Sequence, residues 1–351
     1  MIADKFRFAY APLSKDFSQP GDRWRFCFYA NRRGVKYEIA DPENNYNVVV
    51  LSQGADLSQW HTFPKKKGKV IFDFVDSYLA IPKGDVRSII RGPAKFVFRQ
   101  NRYLHLNYRK LLEAMCRRAD AVICATEEQK HDILPFCQNV HVILDFHTTV
   151  VQKIKADYSR GEVFNFVWEG FPGNLVTFRS IMDALKQLKN RHKFAIHLIT
   201  NLERPLGLRE IFRIPTMRLV RDVFDLEDVF LYEWNERMFS AICTTCDLAL
   251  IPIPLNIPIY AGKPENKLLL FWRMGIPVIT SAIPAYTRAM DGCGLPMTCR
   301  SQEEWIAKLE HYIGDERDRR EAGQQGLTYV NKCYGEEALL KRWDVLFETL
   351  L

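Results

Sequence analysis

No stretch of the sequence offers the ~20 uninterrupted apolar residues that a membrane-crossing helix needs. The longest candidate, DLALIPIPLNIPIY (247–260), is broken by three prolines. No G-x-G-x-x-G follows the first apolar strand and no Walker A sequence occurs, which removes the usual dinucleotide and P-loop readings. The nine cysteines are scattered. The closest pairs, Cys243/Cys246 and Cys293/Cys299, lack the second pair or the histidines of a zinc site, and CTTC lacks the cis-proline or tryptophan context of a redox motif. Reduced structural thiols, and with them a cytoplasmic location, are the expectation. The opening residues MIADKFRFAYAPLSKDF carry acids and no long apolar core, so they do not read as a signal peptide. Low-complexity tracts and repeats at solenoid periods are also missing.

What is present is an ordinary globular mix, 47% hydrophobic and 26% charged, in 351 residues, the length of about two domains. Charge is unevenly spread. Residues 1–150 hold 23 Lys and Arg against 16 Asp and Glu, whereas the remainder is balanced at 26 against 26, so the whole net charge of +7 lies in the first part. KKKGK (65–69) and the span Arg87 to Arg118 supply much of it. Such a surface is either simply solvated or attracts an acidic substrate, an anionic membrane or nucleic acid. Nucleic acid is set aside, because the basic residues do not interleave with aromatics along one recognisable module. An anionic membrane surface stays as a partner, with peripheral attachment at its inner face.

Short apolar runs alternate with helical patterns. FRFAYAP, KYEIAD, NVVVLS, KVIFDFVD, AVICAT and VHVILD read as strands in the first half, and FNFVWEG, FAIHLIT, TMRLV, VFLYEW, LALIPI and IPVITS in the second. Amphipathic stretches such as RWRFCFYANRRG, HLNYRKLLEAMCRRAD and TFRSIMDALKQLKNR lie between them. Alternation of this kind implies right-handed βαβ units and parallel sheets. The pattern restarts near residue 162, after TTVVQKIKADYSRGE. The expectation is an α/β fold of two doubly wound, Rossmann-like parallel-sheet domains facing a cleft, spanning 1–155 and 160–335. Ligands in such sheets bind beyond the carboxyl ends of the strands.

Four stretches carry candidate chemistry. In KPENKLLLFWRMG (263–275), Pro264 suits a first helical position and Gly275 the left-handed position after the last turn, which predicts a helix of about eleven residues. Its first turn brings unpaired N–H groups and a positive dipole end to Lys263, Glu265, Asn266 and Lys267. Those residues are either a solvated helix start or the grip on a nucleoside diphosphate, with the lysines on phosphate and Glu265 on ribose hydroxyls. In FNFVWEGFPGNLVTF (164–178), Glu169, Gly170, Gly173 and Asn174 form the turn after the first strand of the second half, a plain βα turn or a donor-binding one. VIFDFVDSY (70–78) ends in Asp76, a candidate catalytic base, while Asp73 inside the strand could be a buried structural acid. SKDFSQPGDRWRF (14–26) places Gly21, Asp22, Arg23 and Arg25 in a loop that would serve a diphosphate or an acceptor.

With these residues in view, roughly 160–351 resembles the C-terminal part of group-1 glycosyltransferases of the GT-B fold. FVWEGFPGNL is similar to that family's first glycine-containing turn. PENKLLLFWRMGIPVITS is similar to its helix and G-x-P-V-I-[TA]-S unit, and the stretch from SQEEW to the late Trp343 to its closing helices. In the first half only the strand–helix pattern and DAVICATEEQK are similar. Many retaining members carry two glutamates before the G-x-P-V motif; those positions here are Gly262 and Leu270, so the chain is more like the divergent branch with an Asn–Lys pair at the helix start, Asn266–Lys267. The resemblance implies a nucleotide-diphosphate sugar donor, transfer to a hydroxyl of a glycan or lipid-linked glycan in polysaccharide or lipopolysaccharide assembly, no metal or other cofactor, and a final helix (336–351) that crosses back onto the N-terminal, acceptor-binding domain. The spacing of Leu339, Leu340, Trp343, Leu346 and Phe347 independently gives that helix an apolar stripe. The rival reading is a non-transferring protein on the same scaffold, a nucleotide-sugar epimerase or an inactive binding subunit.

Overall fold

The computed structural model describes residues 6–82, 85–206 and 212–351. The chain divides into two compact units. One runs through Phe146 and takes in Glu336–Leu351; the other is His147–Gly335.

The first unit holds strands β1 (Phe8–Ala11), β2 (Tyr37–Ile39), β3 (Val48–Ser52), β4 (Lys69–Asp73), β5 (Ala121–Cys124) and β6 (Val140–Val142). They form one parallel sheet in the order β2-β1-β3-β4-β5-β6. Strand β3 is buried along its whole length. A parallel strand covered on both faces calls for a continuous apolar run rather than an alternating one, and VVVLS supplies it. The helix Phe26–Arg33 ends where Gly34 takes a left-handed conformation, φ 67°.

The chain's last helix, Glu336–Glu348, belongs to this unit. Its stripe Leu339, Leu340, Trp343, Leu346 and Phe347 is buried. Trp343 stacks on Tyr29 with ring centroids 5.4 Å apart, and Phe347 meets Tyr29 at 5.3 Å and Phe8 at 5.7 Å. Asp344 accepts from Arg33 Nη2 at 2.7 Å and from the Tyr29 hydroxyl at 3.0 Å. Polar contacts thus frame an apolar seam.

The second unit holds β7 (Phe164–Glu169), β8 (Phe194–Thr200), β9 (Glu203–Leu206), β10 (Phe212–Pro215), β11 (Val229–Glu233), β12 (Leu248–Ile251), β13 (Val278–Ser281) and β14 (Thr298–Cys299). Six of them form a parallel sheet ordered β11-β8-β7-β12-β13-β14, while β9 and β10 pair as an antiparallel hairpin. The stretch expected to join two domains is bonded into this unit. The Lys155 N–H donates to the Met274 carbonyl at 2.8 Å, the Tyr158 hydroxyl to the Gly275 carbonyl at 2.6 Å, and Lys155 Nζ to Cys246 O at 2.8 Å.

Two local expectations need correction. TMRLV is not a strand but the start of the helix Thr216–Val223, which buries Thr216, Leu219, Val220 and Val223. The period becomes helical only when residues beyond Val220 are included. Pro264 is not the first helical residue. The helix runs Asn266–Arg273 with Glu265 as its N-cap, because the first i→i−4 bond is from the Leu269 N–H to the Glu265 carbonyl. Among the described residues, no helix is long and apolar enough to cross a membrane.

Burial of Trp343 carries a direct test. Trp343→Ala removes one of the largest fully buried side chains of the chain, and urea unfolding is expected to show a loss of about 3–5 kcal/mol. A change within the error of the titration would mean that the last helix adds nothing to the unit it packs on.

Candidate functional site

In a doubly wound sheet the place to look is where strand order reverses. In the second unit that reversal falls between β7 and β12, which pair through Phe166–Leu248 and Val167–Ala249. Strand β7 ends there in Trp168 and Glu169, followed by Gly170. The Gly170 N–H donates to the Ile199 carbonyl at 3.3 Å, holding the turn against β8.

Lys267, the second residue of the helix Asn266–Arg273, reaches this strand end. Its Nζ donates to the backbone carbonyl of Glu169. It lies 3.9 Å from Glu169 Oε2 and 4.9 Å from the centroid of the Trp168 ring. About a fifth of each charged side chain meets solvent, 22% for Lys267 and 19% for Glu169. Burial pushes the Glu169 carboxyl above the usual range, against the pull of Lys267, and pushes the Lys267 amine below its usual value, against the pull of Glu169.

Gly170 makes the arrangement sterically feasible. A Cβ there would run into Lys267 Nζ and come within 2.9 Å of the Trp168 ring. Glu265 caps the helix, and its Oε1 accepts from the Tyr334 hydroxyl at 3.5 Å. Buried Tyr286 feels both Glu265 and Glu169; desolvation first, then these two charges, raise its hydroxyl pKa. Lys263 places its amine over the Tyr260 ring at 4.3 Å. Gly173 and Asn174 follow in the short turns of Pro172–Ser180, where nothing in the chain itself crowds Gly173. The fold therefore gathers Glu169, Gly170, Glu265, Asn266 and Lys267 at one edge. It adds Trp168 and Tyr286, which the sequence reading did not select. Both were legible only as apolar positions, since no spacing rule ties residue 286 to residue 169.

The first unit treats its candidates differently. Asp22 is fully buried. One of its oxygens accepts from the Tyr10 hydroxyl and the Leu13 N–H, both at 2.7 Å, and the other from the Ser14 N–H at 3.0 Å and the Ser14 hydroxyl at 3.2 Å. A carboxylate so occupied anchors its own loop, the one expected to serve a diphosphate or an acceptor. Gly21 lies beside the Leu13 side chain, where a Cβ would collide, and Arg23 sits 5.4 Å from the Trp24 ring.

Arg25 is buried too. It forks onto Asp73 with two bonds of 2.7 Å and reaches Asp145 with a third of the same length. Asp73 is thus the structural acid of its strand. Asp76 lies beyond the end of β4 and is exposed; its Oδ2 accepts from Gln53 Nε2 at 2.7 Å, and its N–H donates to Gln53 Oε1 at 3.1 Å. Among the described residues no three His, Cys, Asp or Glu side chains gather as metal ligands would.

No protein-family model and no curated protein matches the chain. Solved structures do match. A sucrose-phosphate synthase from Thermosynechococcus elongatus superposes with a TM-score of 0.61 at 12% identity, over 96% of this chain and 79% of the other. An alpha-glucosyltransferase (AGT) solved in complex with UDP gives 0.59 at 11% identity, over 98% and 100%. TarM gives 0.59 at 12%, over 86% of this chain, which spans only 54% of TarM. At such identities the likeness establishes the fold: the chain has the GT-B architecture of glycosyltransferases, with two parallel six-stranded sheets.

The contact between Gly170 and Lys267 predicts a measurable coupling. Gly170→Ala is expected to cost about 1–3 kcal/mol through overpacking. Part of that cost should vanish in the Lys267→Ala background, where the obstructing amine is gone. Equal costs in the two backgrounds, read by thermal or urea unfolding, would mean that Lys267 does not rest over this turn.

Proposed function

We propose that the chain moves a glycosyl group from a nucleoside-diphosphate sugar to a hydroxyl of a glycan or lipid-linked glycan. The observation that carries the reading is the position of Lys267. Its amine stands at a helix N-terminus, at the reversal of strand order, and is held by a backbone carbonyl and an incompletely apposed carboxylate. A carbonyl is a weak anchor for a full positive charge, and a phosphate oxygen is a stronger one. A diphosphate entering here would meet the dipole end of the helix and draw Lys267 off Glu169.

The chemistry follows from that exchange. The bond between the sugar's anomeric carbon and the diphosphate oxygen breaks, and the electron pair leaves with the diphosphate. The acceptor oxygen forms the new bond and gives up its proton. Lys267 and the helix dipole stabilise the charge that grows on the leaving group, so the step asks for no bound metal. Glu265 is assigned to the ribose hydroxyls, Asn266 and Lys263 to the diphosphate, and Gly173 and Asn174 to the turn beside the donor. Asp76, with its exposed carboxylate, is assigned the acceptor proton. UDP, present in the AGT structure, is the first nucleotide to try. The basic first half suits an anionic acceptor of the kind used in polysaccharide or lipopolysaccharide assembly.

Two measurements decide the reading. Incubation with radiolabelled UDP-, GDP- and dTDP-sugars should release nucleoside diphosphate from one of them; an epimerised but intact donor would point to the rival enzyme class. Lys267→Ala should weaken binding of the matching nucleoside diphosphate by about 1.5–3 kcal/mol, the range for a hydrogen bond to a charged group. Turnover should fall further, because the leaving group gains charge as the bond breaks. The free nucleoside should bind both proteins alike. A variant with unchanged diphosphate affinity and only a lower melting temperature would make Lys267 a structural residue.

A further inference from the structure

We propose that the helix Val86–Val97 and the loop 98–106 of the first unit form a docking surface for an anionic lipid bilayer. Large apolar side chains stand out from both. Leu106 is 69% exposed, Val97 62% and Ile90 61%, and Phe96, Tyr103 and Leu104 are exposed as well. Ile90 and Val97 are seven residues apart and so share a helix face. The loop lies directly against the helix. A Cβ at Gly92 would strike the His105 carbonyl and come within 3.2 Å of the Leu106 backbone. Helix and loop are therefore packed together, the loop on the side of Gly92.

Charge selects the occupant. Residues 86–112 contain seven Lys and Arg and no Asp or Glu; of these Lys95 is buried, Arg109 pairs with Glu113, and Asp56 accepts from the Arg102 N–H. Arg99, which closes the helix at φ 56°, Arg102 and Lys110 are exposed. The Arg102 guanidinium lies 5.8 Å from the Tyr103 ring, so a cation and an amphipathic aromatic sit side by side. Apolar side chains interleaved with cations match a layer in which acyl chains lie beneath anionic headgroups. A second copy of the chain would bring the same positive surface and be repelled. The proposal deepens the acceptor reading above: a lipid-linked glycan would be met at the bilayer that carries it.

Flotation of the full chain tests this, with vesicles of phosphatidylcholine alone and with about 30 mol% phosphatidylglycerol. The parent protein is expected to float with the anionic vesicles, to stay behind with the neutral ones, and to be released as salt rises to about 0.5 M. Leu104→Asp combined with Leu106→Asp alters only exposed positions and should cut the bound fraction about tenfold or more. Arg102→Ala and Lys110→Ala should each cut it about fivefold.

UDP affinity, measured in parallel, should be untouched by all of these substitutions. A parent that floats yet binds no nucleotide supports the surface and removes the glycosyl-transfer reading. Failure to float with anionic vesicles, variants that float like the parent, or a parent dimer that the leucine variants turn to monomer in sedimentation velocity would overturn the surface.

Discussion

A single amine ties two elements of the second unit together. Lys267 Nζ ties the first turn of one helix to the last carbonyl of strand β7, over a buried tryptophan ring. Three features bring positive potential to that spot: the lysine, the helix dipole, and the N–H groups that a first turn leaves without intrahelical acceptors. Around them stand one carbonyl, the Glu169 carboxylate at 3.9 Å and the N-cap residue Glu265, and burial pushes both Glu169 and Lys267 toward their neutral forms. The same closeness suits glycine at residue 170, since a Cβ there would meet both the amine and the Trp168 ring.

The first unit resolves its polar groups the other way. Asp22 spends both oxygens on its own loop, and Arg25 spends three bonds on Asp73 and Asp145. Buried charges that are matched so completely lock loops to strand ends. These residues looked as suitable for a ligand as those of the second unit, and only their partners separate the two cases. The first unit also leaves Ile90, Val97, Leu104 and Leu106 open to solvent, with Arg99, Arg102 and Lys110 exposed in the same stretch.

Much of the fold was legible from local pattern. Buried parallel strands such as VVVLS and FVWE announce themselves as apolar runs, and Gly34 and Gly275 mark helix ends, as their left-handed conformations show. Errors arose where the window was short or two elements compete. Five residues of TMRLV fit a strand, while eight residues of Thr216–Val223 fit only a helix. The hairpin β9–β10 and the two-residue strand β14 carry too few residues for any period to show.

The sequence by itself determined most of the elements, the doubly wound class and the cluster Lys263, Glu265, Asn266 and Lys267 around one helix start, because capping and periodicity act over fewer than ten residues. It could not say that Lys267 meets Glu169 and Trp168, which lie about a hundred positions earlier in the chain. Nor could it say that Asp22 and Arg25 are already satisfied by Tyr10, Asp73 and Asp145. Those pairings depend on which strands become neighbours. The order of a parallel sheet is fixed by burying the apolar faces of all its crossovers at once, and a charged side chain learns its partner only after that packing is complete.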